Sequence, residues 1–326
     1  MKQPLHVIIS SFVVVPVLLL SYQIGTPRSL SQAKITEYFR EPAIKHSSEE
    51  TKEIKRNIPQ RVLEVPDLEL GAATALAWDF KEDFYLYAKN TETTRPIASL
   101  TKLVMSAIVL DYAQPQELAT VSLKAVRNDG NSGGLREGEI LTVNDLLAAS
   151  LLESSNDAAY SLAEYVGGKL TTNPEAKTVP AREFVRLMNQ KFNDLNLVHT
   201  NFNDPNGLED INSFSTAADL SKFIKYLRTN SGYSTLWDML KLKSYHAEAK
   251  NGVATHDFNT TNPFVGEPNI LGGKTGFTPR ALGNMALVVS GPNNAEFIYL
   301  VLGSYDREGD MRKLIDWVNQ AWVWPQ

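Results

Sequence analysis

Cysteine is absent from all 326 residues, which excludes disulfides, thiolate metal sites and attachment through a lipidated cysteine. Histidine is scarce: the five present (His6, His46, His199, His246, His256) never reach the H-E-x-x-H spacing of a zinc hydrolase. A trypsin-like arrangement needs a histidine upstream of its serine, and only His6 and His46 lie there, in an apolar leader and a polar stretch. Excess positive charge is missing too. Lys and Arg number 32 against 37 Asp and Glu, a net charge of −5 and a pI near 5.7, which argues against nucleic acid as a partner. What is present, 43% hydrophobic residues over this length, suffices for one catalytic domain with a sizeable core plus appended segments.

Long apolar runs are also few. Residues 7–24, with Ile8, Ile9, Phe12, Val13, Val14 and Leu18 to Leu20, form a stretch at the short end of what spans a bilayer. No A-x-A-like pair follows, so residues 1–25 read as a membrane anchor kept in place rather than a cleaved signal. Lys2 precedes it and Arg28, Lys34 and Arg40 follow, so charge alone does not orient it. Residues 26–66 are polar and charged, the composition of a tether. Residues 67–326 form the folded domain. Strands are expected at 72–78 and 84–88, joined as a hairpin at Lys81-Glu82-Asp83, and again at 271–276, 281–290 and 296–304. Helices are expected at 99–113, 143–153, 156–166, 180–194, 216–229 and 308–322. Strands at both ends with helices between them imply an α+β fold: an antiparallel sheet with its edges drawn from both ends of the domain and helices around it.

Three short texts carry chemistry. Ser99-Leu100-Thr101-Lys102 opens an otherwise apolar helix, placing a hydroxyl and an amine three residues apart, where side chains meet at about 5–6 Å. Alone, Lys102 could snorkel and Ser99 merely cap the helix. Ser154-Ser155-Asn156 follows the apolar run 147–152 and alone reads as an N-cap. Gly272-Gly273-Lys274-Thr275-Gly276 leads toward a strand and alone reads as a turn. Their fixed order is far more informative than any one of them.

Other motifs in the same text fail. Gly130-Asn131-Ser132-Gly133-Gly134 fits the G-x-S-x-G nucleophile elbow, but Arg127-Asn128-Asp129 and Leu135-Arg136-Glu137-Gly138 around it read as loop. A phosphate-loop reading of Gly273-Lys274-Thr275 needs a glycine at Pro268. The Asn- and Asp-rich stretch 201–212 misses the calcium-loop register, because Gly207 would put Phe202 at the first ligand position. No metal and no cofactor is expected.

The order of the three texts resembles the penicillin-recognising serine acyl transferases. Arg95 to Ser99, Gly134 to Gly138 with Leu141 to Leu147, Asn203 to Leu208 and Phe214 to Leu220 resemble the D-alanyl-D-alanine carboxypeptidase branch, over roughly 70–322. The resemblance implies a β-lactamase/transpeptidase-like fold and a serine D-Ala-D-Ala carboxypeptidase acting on peptidoglycan stem peptides, with β-lactams as covalent inhibitors. It implies Ser99 as nucleophile, Lys102 as its base and Ser154 as proton relay to the leaving amine. Asn156 would orient the substrate amide, and Lys274 and Thr275 would hold its terminal carboxylate. The backbone N–H groups of Ser99 and Phe277 would take the oxyanion, with Gly276 allowing close approach. Many relatives carry a further β domain and anchor through it, so here membrane attachment is expected from the N-terminal segment, with the catalytic domain outside the cytoplasm. A D,D-endopeptidase of the same fold and a non-catalytic penicillin-sensing or wall-binding module are the alternatives. A class A-like β-lactamase is disfavoured because no E-x-x-L-N text lies between Asn156 and Lys274. Two departures from the family pattern stand out: Ser155, where relatives often have glycine, and the run Gly283-Asn284-Met285.

An ordinary lysine, with pKa about 10.4, is neutral in roughly one molecule in 2,500 at pH 7, a deficit of about 4.6 kcal/mol. Burial in the apolar helix and the charge of Lys274 are the expected means of reducing it.

Overall fold

In the computed structural model, residues 58–130, 133–171 and 179–325 are described. Residues 1–57, with the expected anchor and most of the expected tether, lie outside them. Within the stretch expected as tether, Gln60–Arg61 forms a short strand (β1) paired with Trp322–Val323.

Next come strands Thr74–Asp79 (β2) and Phe84–Lys89 (β3), a 3-10 turn at Ala98–Leu100 and helix Thr101–Tyr112 (α1). The middle of the chain holds Leu118–Thr120 (β4), Leu123–Val126 (α2), Ile140–Thr142 (β5), Val143–Ala148 (α3), a π turn at Ala149–Glu153, Asn156–Leu170 (α4), Pro180–Asp194 (α5), Ala217–Thr229 (α6) and Ser234–Met239 (α7). Strands return as Ser244–Glu248 (β6), Thr255–Asn259 (β7), Ile270–Thr278 (β8), Leu282–Ser290 (β9) and Glu296–Ser304 (β10). The chain closes with Arg307–Ala321 (α8) and Trp322–Val323 (β11).

The main sheet is antiparallel throughout in the order β3-β2-β10-β9-β8. Its edges come from the two ends of the domain, as the pattern of strands and helices implied. β10 must sit in the middle because Phe297 to Leu302 is apolar on both faces, and every one of those residues is buried. One face packs Ala75, Ala77, Leu287, Tyr299 and Val301 against Met311, Leu314 and Val318 of α8. The other face, with Leu76, Ile298 and Leu300 wholly buried, is covered by helices that include α6. Outside this sheet, β1 pairs with β11, β4 with β5 and β6 with β7.

The helix expected to open at Ser99 begins instead as the 3-10 turn, and α1 proper starts at Thr101. The helix expected over 143–153 is α-helical only to Ala148, after which one π turn carries the chain to Ser154. Among the described residues, no helix is long and apolar enough to cross a membrane.

Candidate active site

Ser99 sits inside the 3-10 turn and makes no helix cap: Leu100 holds the N-cap position of α1, and no side chain closes it. The turn is reached through Ala98 at φ 49, a left-handed conformation that costs an alanine about 1–2 kcal/mol. Two glycines hold it there. A Cβ on Gly207, itself at φ +81, would stand 1.9 Å from the Ala98 carbonyl oxygen, and a Cβ on Gly276 would stand 3.0 Å from both the Ile97 oxygen and the Ser99 nitrogen. Only bare backbone permits that approach, so the edge strand β8 lies directly against the amide of Ser99.

Lys102 does not snorkel, since it has no exposed surface. Its Nζ donates to Ser99 Oγ at 3.0 Å, Asn156 Oδ1 at 2.7 Å and the Asn206 carbonyl at 2.8 Å. Three acceptors match its three N–H donors. Burial lowers its pKa from 10.5 to about 7, against the opposing pull of Asp204 and Asp157. Lys274 does not contribute as expected. The repulsion acts on Lys274, which is held well below its ordinary range first by burial, then by the charges of Lys102 and Arg307.

The second text is placed by the π turn, a distortion common at functional sites. It delivers Ser154 at φ 66, left-handed, outside any helix. Ser155, not Ser154, caps α4, accepting from the Ala158 N–H at 3.0 Å. The departure from glycine is therefore a cap. Asn156, first residue of α4, accepts from Lys102 on Oδ1 and donates one Nδ2 hydrogen to the Asp129 carbonyl at 2.8 Å, so two of its three polar hydrogen-bonding groups serve the fold of the site.

From β8, Lys274 Nζ donates to Ser154 Oγ at 2.9 Å and to the Thr275 carbonyl at 3.0 Å. Thr275 Oγ1 meets Thr261 Oγ1 at 2.7 Å. Phe277 is 61% exposed on the same edge. All eight residues singled out from the sequence, Ser99, Lys102, Ser154, Asn156, Lys274, Thr275, Gly276 and Phe277, thus converge on one cleft between α1, the start of α4 and β8.

Sequence reasoning missed four contributors. Asn206 holds Lys102 through its carbonyl. Asp204 bends that loop by accepting the N–H groups of Asn206, Gly207 and Leu208 on a single oxygen. Thr261 ties Thr275 to the Leu152 carbonyl of the π turn. Arg307, at the start of α8, donates to the Gly276 carbonyl at 3.1 Å. Asn203 to Leu208 was legible as a matching text, but not for its grip on Lys102. Asn284, the other departure, is fully buried and donates to the Pro96 carbonyl at 3.1 Å while accepting the Gly303 N–H at 2.8 Å, which pins the approach to Ser99 onto β9 and β10.

The chain is similar to known proteins over most of its length. A family model described as D-alanyl-D-alanine carboxypeptidase matches residues 60–305. A D-alanyl-D-alanine endopeptidase of Escherichia coli is 28% identical over 79% of this chain and 80% of its own length. The D-alanyl-D-alanine carboxypeptidase DacD of the same organism is 30% identical over 77% of this chain and 64% of its own. The solved structure of the Streptomyces K15 DD-transpeptidase superposes with a TM-score of 0.70 at 25% identity, covering 78% of this chain and 100% of that one.

Proposed function

Because this chain belongs to the D-alanyl-D-alanine carboxypeptidase family, and is a serine-type hydrolase of that class, we propose that Ser99 is its nucleophile and Lys102 the base that activates it. The observation that carries the assignment is a wholly buried lysine, its pKa near 7, with its amine 3.0 Å from the serine hydroxyl. Near neutrality about half of such lysines are unprotonated, which removes most of the deficit of an ordinary lysine.

Lys102 takes the Ser99 proton as Oγ bonds to the carbonyl carbon of the penultimate D-Ala. The backbone N–H groups of Ser99 and Phe277 receive the oxyanion. As the C–N bond breaks, Ser154 passes a proton to the leaving amine, and water later hydrolyses the ester. Lys274 and Thr275, with Arg307 behind Gly276, offer the positive charge and hydroxyl that suit the terminal carboxylate. An arriving carboxylate would favour the cationic form of Lys274 and oppose the burial that lowers its pKa. The remaining Asn156 amide hydrogen suits a substrate carbonyl. The substrate is a peptidoglycan stem peptide ending in D-Ala-D-Ala, and β-lactams acylate Ser99 as its mimics. Residues 1–25 would anchor the chain with the catalytic domain outside the cytoplasm, where such peptides are found.

Fluorescent penicillin tests this. Native protein should label and should release D-Ala from diacetyl-Lys-D-Ala-D-Ala, whereas Ser99→Ala and Lys102→Ala should do neither. Labelling that survives Ser99→Ala would name another nucleophile, and labelling without D-Ala release would favour a sensor. An endopeptidase reading has its own support, since the match spans 80% of the endopeptidase relative against 64% of DacD. Release of D-Ala from monomeric pentapeptide with crosslinked dimers left intact would exclude it.

A further inference from the structure

Glu139, just ahead of β5, is wholly buried, and the chemistry proposed above does not use it. Its Oε2 meets His256 Nε2 of β7 at 2.9 Å, while its Oε1 has no partner among the described residues. A buried carboxylate is costly even when paired, and an apolar side chain in its place would carry no such cost. The pair therefore needs a reason. The His256 ring is itself stacked on Phe258, with centroids 5.5 Å apart and planes 7° from parallel. Nearby, the Lys250 N–H donates to the Ile140 carbonyl at 2.7 Å, and Asn251 Nδ2 donates to the Gly138 carbonyl at 2.9 Å. Residues 138–140 thus grip the β6–β7 hairpin twice, at its turn and at His256.

What the hairpin leads to is the cleft. β7 packs against the π turn, and Thr261, just beyond β7, donates its N–H to the Leu152 carbonyl at 3.0 Å and its hydroxyl to the same oxygen at 3.2 Å. That hydroxyl also meets Thr275 Oγ1 at 2.7 Å. Leu152 stands two residues before Ser154. Between them, the Glu153 carboxyl is raised by burial and by Asp157, with His256 pulling the other way, so the imidazole is felt next to the relay serine. Ser99 and Lys102 are held differently, by α1, Asn156 and Asn206, none of which belongs to the hairpin. We propose that Glu139 and His256 are positioning residues for Ser154 and Thr275. Acting through Thr261, the pair fixes the relay that protonates the leaving amine and touches neither the nucleophile nor its base. The inference rests on the D,D-peptidase reading above.

A leaving group that needs no proton separates this role from general support of the fold. In diacetyl-Lys-D-Ala-D-Ala the C–N bond breaks as Ser99 Oγ bonds to the carbonyl carbon, and the departing amine must take a proton. In the thioester with mercaptoacetate in place of the last D-Ala, the terminal carboxylate remains but the sulfur departs as thiolate with the C–S electron pair, since a thiol has a pKa of about 8.5. kcat/KM is compared for the two substrates on the full chain, because it reports acylation. Glu139→Gln and His256→Ala should each lower the amide value about tenfold and leave the thioester value within about twofold of native, a fraction of the usual worth of a placed proton donor. Thr261→Val, which keeps the buried pair and cuts the link, should show the same split. Equal losses on both substrates would reduce the pair to a structural brace and overturn the proposal, as would variants that keep the native ratio and rates. A native protein that splits neither substrate would refute the hydrolase reading and this inference with it; splitting of both by the native protein, with no split among the variants, would refute this inference alone.

Discussion

With Ser99 and Lys102 in their proposed roles, the reactivity of the site turns on one proton, that of Lys102. With its pKa near 7, acylation by penicillin should rise about tenfold per pH unit below neutrality and level off above it. Stopped-flow or gel labelling between pH 5 and 9 reads this directly, and a flat profile would assign the base elsewhere. The same proton sets a stability term. Because the folded pKa lies below the unfolded value of 10.5, the unfolded chain binds the extra proton between about pH 7 and 10.5. The penalty, of the order of 5 kcal/mol, is full below pH 7 and fades as pH climbs toward 10.5. Gly207 is the second residue on which the site depends. Gly207→Ala adds a methyl 1.9 Å from the Ala98 oxygen at φ +81, so it should cost about 3 kcal/mol or more and depress penicillin labelling in the fraction that folds; unchanged thermal stability and labelling would contradict the packing described. Ser99, Lys102 and Lys274 were legible in the sequence because their three short texts occur in one fixed order, with Lys102 inside an otherwise apolar helix. Thr261 and Arg307 were not, since a threonine in a polar loop and an arginine opening a helix are commonplace until tertiary contacts place them.

At the level of elements, the start of α4 has the most precise task, since its first residue holds Lys102 and its cap lies beside Ser154. Ser155→Ala should remove the cap and cost about 1 kcal/mol. Ser155 also donates to the Asp157 carboxylate, which in turn accepts the Gly133 N–H at 2.9 Å and the Leu135 N–H at 3.2 Å. D-Ala release should therefore fall further than the stability loss alone explains, and a drop in Tm with full activity would reduce Ser155 to a cap. The long elements were readable: α5 falls on 180–194 and β10 on 296–304, as their periodicity and continuous apolar run required. β4 and β5 were missed because three residues show no period. β6 and β7 were missed because each buries a single side chain, Ala247 and Phe258, and exposes most of the rest. The π turn left no sequence signal, because an extra residue in a helical turn changes no residue type.

For the whole molecule, the two ends of the domain are fastened together twice, once through β2 against β10 and once through β1 against β11. Arg61 adds a stacking contact 4.9 Å from the centre of the Trp317 ring and donates to the Val65 carbonyl at 2.7 Å. Deleting residues through 62 should lower Tm by a few degrees without altering penicillin labelling, since nothing in β1 touches the cleft; a loss of labelling would tie that clasp to the site. The sheet order also has a consequence in time. The serine turn is made early in the chain, but the strand that clamps it, β8, is made much later, and β8 and β9 join β2 and β3 only through β10. A growing chain therefore carries Ser99, the proposed nucleophile, long before the strand that clamps it exists. Until Ser304 has been synthesised and the sheet has zipped shut, the proposed nucleophile should stay unreactive toward substrate and antibiotic, because β8 is not yet in place against its turn.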